Sequence, residues 1–536
     1  MARAAAVAAA GPAGWPAAGR RVPELAAALF LSGLFGLSFG LRYGVHNQHT
    51  YLLHGLHRAD PALFARDWLV TQTTDYHPAF AFVVALLAAF GRQALPWAVA
   101  LANVALLAAA GFLLWRLCRA VAPSATWPVY LLLAGSLVLQ GDKDVIGSVA
   151  GSTLLTNYLA PSSFGALGLL AGMVLFVRRR WLASGAAVAV GGVFHVNFLV
   201  LAFPLFALAH GLAERGRLRQ RLALQLAPCA AVLLARLPAL LAIAGAPEAG
   251  AAREIFLTVR SPHHYVPLSF LPAFAGFFAW QAAGLLALAR LERGGRGERG
   301  EHRTLGALCA AMMILIVAGT LLTTIVYIPV VAQLYVWRLA PFAVLLAQVC
   351  LAAALAMGAS ALPSRRVRPS HVLAAAGVVA FAAGAARGLD GLAGQAARLS
   401  RPLAAAEWVV VWARSTPRDS VFAVPPDFQE FRLQAERAVM VDWKSTPILP
   451  HELLAWYRRV LAVSGREAVR SAAEAESGYA TIGPYRMERL AREFDVDFVV
   501  VRQPFPRMRL RAARVAYADR RFIVFDTRRA ALRHAP

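Results

Sequence analysis

Apolar runs of near-spanning length recur along the chain from Leu25 to about Arg387. A membrane-spanning helix needs about 20 consecutive apolar residues, because the hydrocarbon core is about 30 Å thick and a helix rises about 1.5 Å per residue. The chain is 59% hydrophobic, with a mean hydropathy of +0.56, and its apolar runs are continuous rather than alternating. Only helices and closed barrels satisfy the backbone in lipid, and barrel strands alternate. The pattern therefore predicts a polytopic α-helical membrane protein.

The net charge of +25 comes almost entirely from arginine, because the only lysines are Lys143 and Lys444. Many arginines cluster in short segments between apolar runs, as the positive-inside rule requires of cytoplasmic loops. This distribution is typical of a protein whose partners include membrane lipids, and it argues against a nucleic-acid partner. The remaining positive charge lies in the C-terminal region, where it suits anionic lipid or a phosphate-bearing substrate.

Four arginine clusters predict which loops face the cytoplasm. They are Arg178–Arg180, Arg215–Arg221, Arg290–Arg303 and Arg365–Arg368. Spans are then predicted near residues 24–42, 78–91, 97–115, 127–140, 161–177, 181–197, 198–212, 222–243, 267–289, 304–326, 335–357 and 370–387. Pro161 must begin a helix from the outer side, so either Val145–Leu159 crosses as a short helix or an earlier segment is re-entrant. The sequence therefore predicts about 12 to 13 spans.

The chain is expected to have three parts. Residues 1–23 form a cytoplasmic tail, and residues 24–388 form a transmembrane domain with an outer loop at 43–77. Residues 389–536 have the composition of a water-soluble region. In it, DSVFAVP, FVVVR and RFIVFDT are typical of strands, and HELLAWYRRVLAV and YRMERLAREF are typical of amphipathic helices that begin after a proline. We expect a C-terminal extracytoplasmic α/β domain of roughly 130–145 residues.

The densest set of ionisable residues lies in a polar loop, Arg42 to Pro78, after the first apolar run. It holds five of the 13 histidines and three acids: His46, His49, His54, His57, His77, Asp60, Asp67 and Asp75. Such groups are costly at a membrane face and are usually functional. Asp67 and Asp60 are candidate catalytic carboxylates. For Asp60 a capping role is the alternative, because Asp followed by Pro61 suits a helix start.

The histidines of this loop allow two interpretations. His46 and His49 are three residues apart, and so are His54 and His57, so each pair shares a helical face. A divalent cation held by Asp67 and His57 is one interpretation, although no HExxH or similar signature is present. Hydrogen bonding to a phosphate or a sugar is the one that we favour. The substrate-binding candidates here are His46, Asn47, Gln48 and His57. The sequence predicts no other cofactor.

A second set of polar residues lies at 253–267, in REIFLTVRSPHHYVP. Its substrate-binding candidates are Arg260, His263, His264 and Tyr265. This set suits a phosphate, since arginine binds two oxygens at once and histidine adds a donor, and an ordinary polar loop is the alternative. Arg338 lies just inside a predicted span, and an arginine there needs an anionic partner or a wet cavity.

Three stretches carry a resemblance to a known family: RADPALFARDW, RSPHHYVP and FRLQAERAVMVDWKSTP. With the order of the segments, they resemble the GT-C superfamily of polyprenyl-phosphate-dependent glycosyltransferases, in particular its bacterial glycosyltransferase-like membrane proteins. The resemblance implies a bacterial inner-membrane protein, and Arg3, Arg20 and Arg21 predict that its N-terminus is cytoplasmic. It also implies inverting transfer of a sugar from a polyprenyl-phosphate donor to an extracytoplasmic acceptor.

The resemblance also implies roles for single residues. Asp67 would be the catalytic or metal-binding acid of the first outer loop, and the C-terminal domain would cap the site. The residues implied for the lipid phosphate are Arg260, His263, His264 and Arg338, and those implied for the capping domain are Arg432, Asp442 and Lys444.

The chain departs from the family pattern in one respect. Members of the family often carry adjacent acids or an Asp-x-Asp in the first outer loop, whereas Asp60 and Asp67 are seven residues apart. A non-catalytic transporter, flippase or assembly scaffold is therefore a second hypothesis. A third is a glycan ligase or polymerase that uses an outer-loop histidine and arginine. The sequence predicts no oligomeric state.

Overall fold

The computed structural model describes residues 18–140, 149–213, 216–293, 299–361, 369–403, 406–505 and 514–528. Its N-terminal part is a helical bundle. The described helices between residues 18 and 245 are α1 (Ala18–Leu37), α2 (Gln48–Tyr51), α3 (Leu53–Ala59), α4 (Trp68–Thr71), α5 (Pro78–Ala88), α6 (Leu95–Val121), α7 (Thr126–Gln140), α8 (Pro161–Val177), α9 (Trp181–Phe194), α10 (Val196–Ala213) and α11 (Leu218–Gly245).

In the part that the structure describes, the second half of the bundle contains three short helices and four long ones. These are α12 (Ala249–Glu254), α13 (Pro262–Tyr265), α14 (Ala273–Arg293), α15 (Arg299–Thr324), α16 (Pro329–Gln333), α17 (Ala340–Ala361) and α18 (Pro369–Asp390). Among the described residues, seven helices are long and apolar enough to cross a membrane, and further apolar helices are shorter. The predicted helical membrane architecture is confirmed.

Contacts between helix ends define two sides of the bundle. Arg119, near the end of α6, pairs with Glu24, near the start of α1, at 3.3 Å. His302, near the start of α15, contacts the carbonyl oxygen of Val121 at 2.8 Å. These ends share one side, which we call the far side. Arg92, just before α6, pairs with Glu436 of the C-terminal domain at 3.1 Å. We call that side the domain side.

Helix α5 turns back on the domain side. His77, which precedes it, and Arg92, which follows it, both contact groups on that side. Its 11 residues span about 16 Å, roughly half of a hydrocarbon core. The span predicted near 78–91 is therefore not a crossing. Of the two alternatives for the early chain, the described residues support the re-entrant one, since residues 149–160 contain no helix; residues 145–148 of the other alternative lie outside the described residues.

With α5 removed from the predicted spans, the direction of the remaining helices is consistent along the chain. The guanidinium of Arg387, near the end of α18, donates to the carbonyl oxygen of Val138, so α7 and α18 both end on the domain side. In the part of the chain that the structure describes, the helices that alternate in direction are α1, α6, α7, α8, α9, α10, α11, α14, α15, α17 and α18. The eleven described helices of this set are an odd number, so the start of α1 and the C-terminal domain lie on opposite sides of the bundle.

Helix α18 is held against α7 by backbone-to-backbone contact. A Cβ atom on Gly377 would lie 2.8 Å from the backbone nitrogen of Leu132, and one on Gly135 would lie 2.8 Å from that of Phe381. Small residues permit this approach in membrane bundles, where van der Waals packing replaces the hydrophobic effect. Helix α18 leads into the C-terminal domain, so this contact fixes where the domain begins.

The C-terminal domain is built on a five-stranded mixed sheet of order β2-β1-β3-β5-β4. Its strands are β1 (Val421–Ala423), β2 (Ala438–Val439), β3 (Phe498–Arg502), β4 (Arg514–Ala518) and β5 (Phe522–Asp526). Strand β1 pairs parallel with β2 and β3, and β5 pairs antiparallel with β3 and β4. Its helices are α19 (Leu392–Ser400), α20 (Trp408–Ala413), α21 (Phe431–Ala435), α22 (Pro450–Ser464), α23 (Ala472–Tyr479) and α24 (Pro484–Phe494). The predicted strands and helices are found.

The bundle and the domain share a hydrophobic core. Ala252 of α12 is buried in the cluster that contains Trp456 and Val499 of the domain, and Ile255 and Phe256 pack against it. Apolar burial of this kind contributes roughly 25 cal/mol per Å² removed from water. The domain therefore rests on the loop between α11 and α14 and on the outer loop, which brings the sequence-predicted site residues to one junction.

Candidate functional site

Asp67 is fully buried at the junction of the outer loop and the C-terminal domain. As the N-cap of α4, its Oδ1 accepts from the backbone N–H groups of Leu69 and Val70 at 3.0 and 3.3 Å. Its Oδ2 accepts from Nε of Arg432 at 2.8 Å and from the N–H of Val439 at 2.9 Å. Each oxygen has two donors, so the carboxylate has no free lone pair for a proton or a metal ion.

Arg432 joins two carboxylates and a backbone carbonyl. Besides Asp67, it donates to Asp442 and to the carbonyl oxygen of Val439. Asp442 accepts in turn from the N–H groups of Lys444 and Ser445 at 2.9 and 2.7 Å. Arg432 and Asp442 are each 2% exposed. The structure therefore places these two predicted substrate-binding residues inside the protein, where they hold the loop that carries Lys444.

Asp60 has local partners as well. Its Oδ1 accepts from the N–H of Ala62 at 3.1 Å, and its Oδ2 pairs with Arg92 and lies 3.9 Å from Arg418. Residues 61–66 form turns rather than the helix expected after Pro61. Asp60 thus starts a turn and adds a contact to the C-terminal domain.

A loop of the C-terminal domain, residues 442–447, covers the outer loop; we call it the capping loop. Ser445 Oγ lies 2.9 Å from Thr50 Oγ1, and the carbonyl oxygen of Thr446 accepts from the hydroxyl of Tyr76 at 2.5 Å. The carbonyl oxygen of Lys444 accepts from Nη2 of Arg260 at 2.8 Å. The capping loop therefore joins the outer loop to the 253–267 segment and carries Lys444 next to Arg260.

Arg260, Lys444 and Arg338 form what we call the cationic cluster. Burial lowers the pKa of Arg260, and burial together with the charge of Arg260 lowers the pKa of Lys444. Among the described residues, none of the three forms an ion pair with a carboxylate; Asp442 acts on Arg260 only at longer range. Arg260 also has a buried Nε without a hydrogen-bond partner.

Arg338 lies just before α17 and is held by aromatic rings. Its Nη1 lies 2.8 Å from Nε2 of His195, and its guanidinium is 4.7 Å from the ring centre of Tyr335 and 5.2 Å from that of Phe198. A ring face attracts a cation but does not neutralise it. The predicted need of Arg338 for an anionic partner is thus not met by the described residues.

Buried phenols surround the cationic cluster. Burial raises the pKa of Tyr51 and Tyr76, and it raises the pKa of Tyr265 to about 12. The charges of Arg338 and Arg260 both act on Tyr51 and on Tyr265 in the opposite direction, so the two guanidiniums lie around the same phenols. These hydroxyls stay protonated at neutral pH. Those of Tyr51 and Tyr265 can donate to an anion, whereas that of Tyr76 already donates to Thr446.

The two histidines of the 253–267 segment stand beside the cluster. His264 Nδ1 lies 2.6 Å from the carbonyl oxygen of Ala150, and burial lowers the pKa of His264 to about 4. The rings of His263 and His264 are 4.0 Å apart. The structure therefore brings together five of the predicted substrate-binding residues: Arg260, His264, Tyr265, Arg338 and Lys444.

Other predicted residues of the outer loop are used locally. Gln48 is buried and donates to the carbonyl oxygen of Leu159 at 3.2 Å. Asn47 occupies the N-cap position of α2 without a capping hydrogen bond from its side chain. The ring of His46 lies 5.3 Å from that of Tyr158. His57 Nδ1 lies 2.7 Å from the carbonyl oxygen of Leu63. Among the described residues no group of three or more His, Cys, Asp or Glu has metal-binding geometry.

Sequence reasoning missed His77 and the phenols Tyr51, Tyr76 and Tyr335. His77 was counted in the polar loop, but no motif distinguished it from its neighbours. His195 reads as an ordinary core histidine from its apolar surroundings, yet it contacts Arg338. The available signal is position, since each of these residues lies in the outer loop or in a short connection between bundle helices.

Comparisons with known proteins bear on the fold. A family model described as "Domain of unknown function (DUF6798)" matches residues 404–463, which contain the capping loop. No curated protein matches the chain. Arabinofuranosyltransferase AftD from Mycobacteria is 17% identical, with a TM-score of 0.43, and the match covers 94% of this chain and 40% of AftD.

The crystal structure of ArnT from Cupriavidus metallidurans in the apo state matches over the whole length. The identity is 13% and the TM-score is 0.55, and the match covers 97% of this chain and 100% of ArnT. ArnT is a GT-C glycosyltransferase. The helical bundle with a C-terminal sheet domain and the GT-C resemblance are confirmed at the level of the fold: the chain has the fold of ArnT.

Proposed function

We propose that this protein is a membrane glycosyltransferase that transfers a sugar from a polyprenyl-phosphate donor to an acceptor on the domain side, with inversion. The observation that carries the proposal is the cationic cluster of Arg260, Arg338 and Lys444, which lacks a carboxylate partner among the described residues. The ArnT fold supports it.

The chemistry of the cluster suits a phosphate more than a neutral sugar. A half-buried cation without a counter-charge is costly, because burial disfavours its charged form. A phosphodiester supplies charged oxygens to the guanidiniums of Arg260 and Arg338, and charge-assisted hydrogen bonds are about twice as strong as neutral ones. The phenols Tyr51 and Tyr265 add donors. The phosphate leaving group would thus be stabilised as its negative charge develops.

The position of the cluster suits a lipid-linked donor. Arg338 lies just before the start of α17, and the neighbouring His77 lies just before the start of α5. The cluster is therefore at the domain-side ends of the bundle helices. Large apolar side chains of α5 are exposed: Phe82 and Leu86 are 60% and 57% exposed. A polyprenyl tail could lie against such a surface in the membrane with its phosphate at the cluster. The far-side arginine clusters favour a cytoplasmic far side, which makes the acceptor extracytoplasmic.

Binding of decaprenyl phosphate to the purified protein tests this proposal. Native mass spectrometry would compare the wild type with Arg338→Gln and Arg260→Gln. Each variant should bind about 10- to 100-fold more weakly, because a hydrogen bond to a charged group contributes about 1.5–3 kcal/mol. Arg458→Gln is the matched control, since Arg458 is an exposed arginine on α22.

Lipid extracted from the purified protein would identify the donor. A co-purifying polyprenyl-phosphate sugar, identified by mass spectrometry, would support the proposal and name the sugar. Equal binding of decaprenyl phosphate by the wild type, Arg338→Gln and Arg260→Gln would contradict the assignment of the cluster.

A second function, that of a non-catalytic carrier or assembly scaffold that binds the lipid phosphate, is favoured by one observation. Asp67 and Asp60, the acids expected to do the chemistry, already have donors on their oxygens. A protein that binds decaprenyl phosphate but turns over no decaprenyl-phosphate sugar would have this second function.

A further inference from the structure

His77 ends the outer loop just before α5 and faces the cationic cluster. Its ring lies 5.3 Å from those of Tyr51 and His195 and 5.5 Å from that of Tyr76. His195 in turn contacts Arg338. His77 is therefore in direct contact with the residues that surround the proposed phosphate position.

The tautomer of His77 is set by a backbone carbonyl. Its Nδ1 lies 3.0 Å from the carbonyl oxygen of Phe194, and a carbonyl can only accept, so Nδ1 carries the hydrogen and Nε2 presents a lone pair. Within the described residues, Nε2 has no hydrogen-bond partner and is not among the buried polar atoms. The lone pair is therefore at least partly accessible.

His77 is neutral at pH 7, with its pKa lowered to about 4. Burial is the main cause, and the charges of Arg338 and Arg236 act in the same direction. The carbonyl oxygen of Phe194 and the carboxylate of Asp75 act in the opposite direction. A neutral imidazole with a free nitrogen can take a proton, and Asp75 is close enough to stabilise the imidazolium that results.

The acids of the outer loop do not present an accessible, unoccupied acceptor. Asp67 has two donors on each oxygen, and Asp60 pairs with Arg92. Oδ1 of Asp75 accepts from the backbone N–H of His77 at 3.0 Å. Oδ2 of Asp75 lies 3.6 Å from Arg58 and has no hydrogen-bond partner among the described residues, but it is buried.

We propose that Nε2 of His77 is the proton acceptor for the incoming hydroxyl group; this inference rests on the proposed function. The acceptor oxygen forms a bond to the anomeric carbon while the bond from that carbon to the phosphate oxygen breaks. The phosphate leaves with the electron pair, and the hydroxyl proton moves to Nε2. The imidazolium then passes this proton to the released polyprenyl phosphate or to water.

His264 is the nearest competitor for this role. It has the same tautomer, since its Nδ1 contacts the carbonyl oxygen of Ala150. The charged groups that act on its pKa are His263, Arg338 and Arg260, which all disfavour an imidazolium. At His77 the carboxylate of Asp75 is in direct contact with the residue, since its Oδ1 accepts from the backbone N–H of His77 at 3.0 Å. This contact, rather than a difference in pKa, assigns the role to His77.

Diethyl pyrocarbonate, which acylates neutral imidazole nitrogens, tests the state of His77 without a donor. Labelled sites would be identified by peptide mass spectrometry at pH 7.0 and pH 5.5, with N-acetylhistidine as the reference. The reference should lose reactivity at pH 5.5, because an ordinary histidine has a pKa of about 6.5. His77 should keep its reactivity. No labelling of His77, or labelling that falls in parallel with the reference, overturns the proposal.

Turnover tests the role in the reaction. Release of decaprenyl phosphate from a panel of decaprenyl-phosphate monosaccharides would be measured for the wild type, His77→Asn and His77→Gln. Asn keeps a donor for the carbonyl oxygen of Phe194, whereas Gln places a polar group near the position of Nε2. Both should lower turnover by about 100-fold or more and leave decaprenyl phosphate binding within about twofold. His371→Gln, an exposed histidine at the far-side start of α18, is the control.

The outcomes separate this proposal from the proposed function. His264→Gln is measured in the same assay. Normal turnover by both His77 variants overturns only the role of His77, and so does a loss of turnover confined to His264→Gln. A wild type that binds decaprenyl phosphate without turnover overturns the role of His77 and supports the carrier function. A wild type that does neither overturns both proposals.

Discussion

At the scale of single residues, Asp67 shows how a carboxylate at the predicted position can serve the architecture instead of the chemistry. Its oxygens accept from two N–H groups of α4, from Arg432 and from the N–H of Val439. A buried ion pair adds little net stability, but removal of one partner costs about 3–5 kcal/mol, because the other charge is left buried. The general-base role of Asp67 stays a prediction, and the geometry gives the residue a different task.

Asp67→Asn should therefore destabilise the protein. An amide would place its NH₂ group against Nε of Arg432 or the N–H of Val439, and donors would face donors. Because Arg432 keeps Asp442 as a carboxylate partner, we expect a loss of about 1–3 kcal/mol, the cost of a buried donor left without an acceptor. It would be measured as a lower Tm in detergent and as faster proteolytic release of the C-terminal domain. Asp60→Asn, at a partly exposed pair, should cost no more than about 1 kcal/mol. An Asp67→Asn protein as stable as the wild type but without turnover would restore the catalytic assignment.

The sequence predicts residue types better than residue roles. The sequence predicts Arg260 as a phosphate ligand because arginine binds two oxygens at once, and Arg338 because an arginine in a span needs an anionic partner. The structure leaves both without a carboxylate partner among the described residues. Arg432 and Asp442 were chosen with them, yet they are buried and paired. The difference lies in contacts between positions that are hundreds of residues apart, which no local pattern encodes.

At the scale of elements, the apolar pattern predicts nearly every long helix. The predicted spans near 161–177 and 370–387 correspond to Pro161–Val177 and Pro369–Asp390. The prediction is wrong only for α5, which the apolar pattern predicts to cross the membrane. Its 11 residues have the apolar composition of a membrane span but about half of the length that a span needs. Its direction follows from contacts at its two ends, and hydropathy carries no information on those.

Labelling of single cysteines tests the return of α5. Gln72→Cys and Gln93→Cys, on either side of this helix, should both react with a membrane-impermeant maleimide from the same side of the membrane. The native cysteines are buried and give little background: Cys118, Cys229, Cys309 and Cys350. Arg219→Cys, on the far side, should react only after permeabilisation. Reaction of Gln93→Cys from the far side alone would make α5 a crossing.

At the scale of the whole molecule, the parity of the bundle places the start of α1 and the C-terminal domain on opposite sides. The arginine clusters lie on the far side, and positive clusters are retained in the cytoplasm. We therefore expect the C-terminal domain to be extracytoplasmic.

Reporter fusions test this orientation. Alkaline phosphatase fused after Leu389 should be active, because the enzyme folds only outside the cytoplasm. The same reporter fused after Arg293, at the far-side end of α14, should be inactive. The reverse pattern would put the capping loop in the cytoplasm and would contradict an extracytoplasmic acceptor.

The pairing of Asp67 with Arg432 also determines when the outer loop can finish folding during synthesis of the chain. The two residues are 365 positions apart, so at about 5–20 residues per second the arginine is synthesised about 20 to 70 s after the aspartate. During that delay α4 can already be capped, but the other carboxylate oxygen must stay hydrated at the membrane surface. The outer loop is thus among the first segments to be made and among the last to be completed, and a chain cut off before the sheet domain would leave it unfinished.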